Sequence, residues 1–146
     1  MATEDDIYFK RRLQDPYVNR QPDYKDLDLD FFADPTTKDV IKKVGTEAIK
    51  RSVRNLVFTN FYEKPFRHYI GSDVRDLLFE NATPLTTIYL KDAIVQLLEN
   101  FEPRIKLNDV TVKEDLDNNG YNISLVYTIR NRELQVTSSL FLERIR

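Results

Sequence analysis

Hydrophobic spacing changes twice along the 146-residue chain. From Tyr24 to Phe31 apolar and acidic residues alternate with period two, which predicts a short extended segment with Leu27, Leu29 and Phe31 on one face. Asp34-Pro35-Thr36-Thr37-Lys38-Asp39 then supplies turn and N-cap chemistry. Between Lys38 and Phe58 the period becomes helical. Val40 or Ile41, Val44, Ala48, Ser52 and Leu56 recur three or four apart, and Ile49 and Val53 widen the stripe. Gly45 falls inside this predicted helix, where glycine costs about 1 kcal/mol against Ala, so its place there predicts a close packing contact.

The stretch around Thr59–Pro65 breaks that helix, and Ser72 or Asp73 caps a short one through Val74, Leu77, Leu78 and Phe79. Thr83-Pro84 opens the next, with a capping hydroxyl before a proline in the first turn. Leu85, Ile88, Tyr89, Ile94, Leu97, Leu98 and Phe101 form its predicted apolar face, and Pro103 stops it. Beyond Pro103 the period returns to two. Ile105 and Leu107 fall out of step with Val110 and Val112, which predicts a bulge near Asn108-Asp109. Tyr121, Ile123, Leu125, Tyr127 and Ile129 share one face of a strand; after a turn at Asn131-Arg132, Leu134, Val136, Ser138, Leu140 and Leu142 share one face of another. The predicted fold is α+β: an N-terminal extended arm and about three helices packed on a C-terminal three-stranded antiparallel sheet.

Residues 1–22 are poor in aliphatic side chains, carry two prolines and many charges, and read as an arm that is flexible or ordered by a partner. Residues 23–146 read as a single domain. Charge is uneven: nine acidic and five basic side chains in residues 1–35, three and eight in 36–67, twelve and nine in 68–146. The basic middle reads as a solvated helix face, because Lys42, Lys43, Lys50, Arg51 and Arg54 lie between apolar positions at helical spacing. With a net charge of -2, specific nucleic-acid binding is not expected. Met1-Ala2-Thr3-Glu4-Asp5-Asp6 lacks the basic, then apolar order of a signal peptide, and no apolar run approaches a membrane span.

Catalytic equipment is sparse. The sequence has no Cys and one His, which excludes thiolate metal sites, cysteine nucleophiles and multi-histidine centres. His68 lies in an aromatic loop without a nucleophile motif and reads as structural or superficial. Asp115-Leu116-Asp117-Asn118-Asn119-Gly120 copies the first half of a calcium loop, but its twelfth position is Val126 and both flanks are strand-like, so a hairpin turn is expected. Glu63, Glu80, Glu99 and Glu102 supply carboxylates without the contrast of environments that a glycosidase pair needs. No cofactor, metal or small-molecule substrate is expected. Two features stand out. Glu102-Pro103-Arg104 places opposite charges about a rigid proline where helix meets sheet, which suits an internal bridge or a partner contact. The last strand, with Leu140, Phe141 and Leu142, is a candidate edge able to accept a strand from another chain.

Ordered pieces of the chain resemble the baseplate-wedge and sheath-initiator family of contractile tails, which includes lysozyme-like phage baseplate proteins and type VI secretion homologues. They are Tyr24-Lys25-Asp26-Leu27-Asp28-Leu29-Asp30-Phe31; Val44-Gly45-Thr46-Glu47-Ala48-Ile49; Glu63-Lys64-Pro65-Phe66 with Ile70-Gly71-Ser72; Leu77-Leu78-Phe79-Glu80; and Glu102-Pro103-Arg104-Ile105. Tyr62 stands where the family often has Gly. The resemblance implies a non-enzymatic virion protein, present in six copies per baseplate and assembled in the host cytoplasm. Its implied partners are other wedge proteins, met through Glu102, Pro103 and Arg104, and the tail sheath subunit, met by strand addition at the C-terminal sheet. The alternatives are a peptidoglycan-degrading glycosidase, from the family's lysozyme-like label, and a type VI secretion baseplate subunit.

Overall fold

The computed structural model describes residues 23–28, 30–131 and 133–144; the predicted arm over residues 1–22 lies outside them. Within the described residues the fold is α+β, with three helices and a C-terminal three-stranded sheet beside a small two-stranded ribbon.

The ribbon pairs β1 (Lys25–Leu27) antiparallel with β2 (Lys42–Val44). The buried side of this segment is not its apolar one. Leu27 and Phe31 are exposed, Leu29 is not among the described residues, and Asp28 is the buried residue. The reason is ionic: Lys43 Nζ lies 3.2 Å from the Asp28 carboxylate, so the acidic face can turn inward without leaving an unpaired charge. Asp34 forms the connecting turn, its Oδ1 accepting the Thr36 and Thr37 amides at 2.7 and 3.2 Å.

The first helix, α1 (Thr46–Phe58), starts later than the periodicity predicts, because Lys42–Val44 pairs as a strand instead. Gly45 is therefore not a helix-interior residue. It caps α1 at φ 65° and ψ -128°, a combination open to glycine, and its N–H donates to Tyr24 O at 2.7 Å. Ala48, Ile49, Val53, Leu56 and Val57 form the buried face. A single turn, α2 (Val74–Leu77), follows a loop closed by the parallel bridge Asn60↔Ser72. Gly71 makes that closure possible: a Cβ there would lie 2.5 Å from both Asn60 O and Phe61 N.

Helix α3 (Pro84–Phe101) begins as predicted, with Thr83 Oγ1 accepting the Thr86 amide at 3.1 Å. Its buried stripe is Thr86, Leu90, Ile94, Leu97 and Leu98. Leu85, Ile88 and Tyr89, predicted inside, are each about half exposed. The buried side of this first turn is occupied by Thr86, whose hydroxyl donates to Asn81 O at 2.8 Å, so apolar spacing does not mark the covered face there.

The sheet has the order β3 (Ile105–Asp115), β4 (Gly120–Ile129), β5 (Leu134–Glu143), all antiparallel. Its register slips between Leu107 and Asp109, the predicted bulge. Tyr121, Ile123, Leu125, Tyr127 and Ile129 line the helix-covered face with Val136, Leu140 and Leu142. The calcium-like segment is a hairpin turn, as expected: Asp115 Oδ2 accepts from the side-chain amides of Asn118 and Asn122, each at 2.9 Å, and Val126 sits inside β4. Those hydrogen bonds, from the Asn118 side chain foremost, hold the Asp115 carboxyl below its usual pKa.

Candidate functional site

The chain's charge chemistry converges where α3 ends. Pro103 stops the helix, Glu102 becomes its C-cap, and Arg104 leads into β3. Arg104 grips the Glu102 carboxylate with both arms of its fork, Nε to Oε1 at 2.6 Å and Nη2 to Oε2 at 2.7 Å. Ser52 of α1 donates its hydroxyl to Oε2 at 2.6 Å. The remaining arm of Arg104 reaches Asp26 of β1 at 3.0 Å, and the guanidinium lies 5.5 Å from the Tyr24 ring centre. One ion pair thus fastens α1, α3, β1 and β3.

Glu102 is 3% exposed. Burial works to raise its pKa, but the hydrogen bonds from Arg104 and Ser52, with the guanidinium charge, hold it below the usual carboxylate range. The same contact with Glu102 raises the Arg104 pKa further above its ordinary value. Of the three motif residues, Glu102 faces inward, Arg104 is partly covered, and Pro103 is exposed. Beside them opens a cleft of about 530 Å³, lined in part by Asn55, Lys64, Ile70, Phe101 and Arg104.

The sheet's outer strand is the second site. The Arg144 N–H donates to Asn119 O at 2.9 Å in register with the β4–β5 ladder. Antiparallel pairs alternate, so even-numbered residues of β5 direct their N–H and C=O toward β4. Gln135, Thr137, Ser139, Phe141 and Glu143 direct theirs away from the sheet, where no other described strand pairs with them. Leu140 and Leu142 place their side chains in the core, whereas Phe141 is 42% exposed on the open face. The two sheet edges differ. β3 carries a bulge and exposed Lys106, Asp109, Lys113 and Glu114, the usual deterrents to strand pairing. β5 has an unbroken register and no Lys, Arg or Pro between Leu134 and Glu143.

Sequence periodicity missed an aromatic apron. Phe61, Tyr62, Phe66 and Tyr69 are exposed on the α1–α2 loop, with Tyr62 stacked on His68 at 5.9 Å and Tyr69 tilted against Phe101. His68 is thus exposed, the second of the two readings, structural or superficial, that the sequence left open. Tyr62 holds φ 65°, the left-handed region, at the position where Gly is common in the resembling family. The density of Phe and Tyr in this loop was the available signal. The basic block is a solvated face in the main: Lys50 pairs with Glu47 at 2.9 Å, Arg51 with Asp30, and Arg54 lies over Phe58. Among the described residues no three His, Cys, Asp or Glu side chains form a metal cluster, and no helix is long and apolar enough to cross a membrane.

Residues 43–133, more than half of the chain, match the family described as baseplate wedge protein gp25. The chain belongs to that family. It is 36% identical over 95 residues to the baseplate wedge protein gp25 of Enterobacteria phage T4, a match covering 63% of this chain and 71% of the phage protein. Solved structures share the fold. A Geobacter sulfurreducens protein assigned as a tail lysozyme superposes with a TM-score of 0.63 at 21% identity, over 67% of this chain and 89% of that one. A chain of the sixfold-symmetrised anti-feeding prophage baseplate gives 0.60 at 21% identity, over 85% and 88%. One from the post-contraction baseplate of pyocin R2 gives 0.52 at 19% identity, over 81% and 98%. The resemblance read from the motifs is therefore a family membership.

Proposed function

We propose that the protein is a non-enzymatic structural subunit of a contractile phage tail baseplate, docking on the wedge core and templating sheath assembly by strand addition at β5. Family membership supports the wedge role, and the undefended β5 edge is the observation that carries the templating role. Its outward N–H and C=O groups can be satisfied by a strand from a sheath subunit, with main-chain hydrogen bonds supplying the attraction. The domain of residues 23–146 supplies the rigid part and residues 1–22 a partner-contacting arm. Six copies would match a sixfold baseplate, placing the protein in the virion after assembly in the host cytoplasm.

Glu102, Pro103 and Arg104 serve docking by holding the helix–sheet junction in one shape, with Pro103 and the cleft rim presented to a neighbouring wedge protein. Glu102 is poorly suited to glycoside hydrolysis. A general acid needs a raised pKa, and the Arg104 and Ser52 contacts lower this one. Glu63 is exposed and accepts the Asn60 amide at 2.9 Å, and Glu99 is exposed on α3.

Thr137→Pro tests the template directly. The Thr137 N–H points away from β4, so a proline there removes an outward donor without breaking the ladder. Particles carrying the variant should contain baseplates with the protein at normal copy number but no extended sheath. Sheaths of normal length would overturn the templating role.

A further inference from the structure

A pocket on the helix side of the β5 edge has a charge that says what kind of strand fits there. It has a volume of about 230 Å³ and is floored by Ser138, Ser139 and Leu140 of β5. Its wall carries the cations Lys43, Lys50, Arg51 and Arg54 against the carboxylates of Asp30 and Glu47. The two cations nearest to free use are Lys50 and Arg54. The exposed Lys50–Glu47 pair is weak enough to exchange, and Arg54 rests on the Phe58 ring. Lys43 and Arg51 are held by Asp28 and Asp30.

A strand added to β5 alternates its side chains between the two faces of the sheet. Those on the helix side come down beside the α1 cations. Those on the open side meet Thr137, Ser139 and Phe141, which are uncharged. The negative residues flank this stretch: Glu133 lies in the turn before β5, and Glu143 is its last residue.

We infer that the β5 edge selects an extended segment of a partner protein whose carboxylates occupy alternate positions facing Lys50 and Arg54 of α1. The inference rests on the strand-addition reading and adds the partner's chemistry to it. A second copy of this chain is a poor occupant, because antiparallel β5–β5 pairing would bring two basic α1 faces together. Opposite charges across the edge speed encounter and fix register, whereas like charges exclude wrong strands.

Two fluorescein-labelled peptides serve as probes in anisotropy titrations of the full chain, one alternating Glu with Val and the other alternating Lys with Val. The Glu peptide should bind at least tenfold more tightly at low ionic strength and weaken as salt is added. The double variant Lys50→Glu, Arg54→Glu should reverse the preference. Thr137→Pro should abolish binding of the Glu peptide without lowering the melting temperature. Equal binding of both peptides, lost in Thr137→Pro, would overturn the charge selection while supporting strand addition. Glu-peptide binding that survives Thr137→Pro would overturn strand addition and this inference with it. Binding of neither peptide at millimolar concentration would overturn the inference. So would a wild-type dimer in sedimentation that Thr137→Pro dissociates, because the edge would then be occupied by a second copy.

Discussion

Glu102 and Arg104 close on each other across one proline, with Nε to Oε1 at 2.6 Å and Nη2 to Oε2 at 2.7 Å. Because they are two residues apart, the chain spends little loop entropy in bringing them together. The pair then collects distant partners: Ser52 is fifty positions from Glu102, and Asp26 seventy-eight from Arg104. A local contact becomes the tie between helix and ribbon.

Removing the charge of Glu102 should be expensive. Glu102→Gln keeps the shape but leaves Arg104 without its bidentate anion, and a broken buried pair costs about 3 kcal/mol. Urea denaturation at neutral pH should show that loss. Glu102 has a depressed pKa in the fold, so its contribution is complete above the unfolded value of about 4.3 and is lost as pH falls through the folded value. The stability gap between wild type and variant should therefore narrow in acid. A gap independent of pH would show that the carboxylate's ionisation is not what stabilises the junction.

Ser52 satisfies the face of Glu102 Oε2 that Arg104 leaves open. Ser52→Ala should cost about 2 kcal/mol, the range for a hydrogen bond to a charged group. In a double-mutant cycle with Glu102→Gln the two losses should be non-additive by more than about 0.5 kcal/mol. Strict additivity would mean that the two side chains act separately.

Gly71 tests the loop closure. A Cβ at this residue collides with the Asn60–Phe61 backbone, which cannot swing aside as a side-chain tip would, and φ is +157°. Gly71→Ala should lower stability by about 2 kcal/mol or more. A melting temperature equal to the wild type would show that this loop opens freely.

Tyr127 reads the other way. Its hydroxyl is buried with no hydrogen-bond partner among the described protein groups, and burial, reinforced by the charges of Glu47 and Glu102, pushes its pKa up to about 12. Tyr127→Phe should be neutral or stabilising by up to about 1 kcal/mol. The folded value exceeds the usual 10.0, so the wild type should lose stability as pH rises from there through about 12. The variant should lose less over that window, as thermal melts in alkaline buffer would show.

Much of this architecture was legible in the chain. The period-two runs from Ile105 onward gave three strands and the bulge, because side chains on a half-covered sheet must alternate. Thr83-Pro84 and Pro103 bounded α3, since capping and proline geometry act within a few residues. Failures came where distant partners decide. Lys42–Val44 joined a ribbon instead of α1, Asp28 went inside because Lys43 meets it, and Leu85, Ile88 and Tyr89 stayed outside because no described element covers them.

The candidate sites divide in the same way. Order and type of residues sufficed to single out Glu102, Pro103 and Arg104 and the last strand, because a proline between opposite charges and an alternating strand are local patterns. Only the tertiary structure turned Glu102 inward toward Ser52, bent Arg104 to Asp26, and set the α1 cations beside the β5 edge. Burial and pairing depend on residues far apart in sequence, and the packing of α1 and α3 on the sheet is what brings them together.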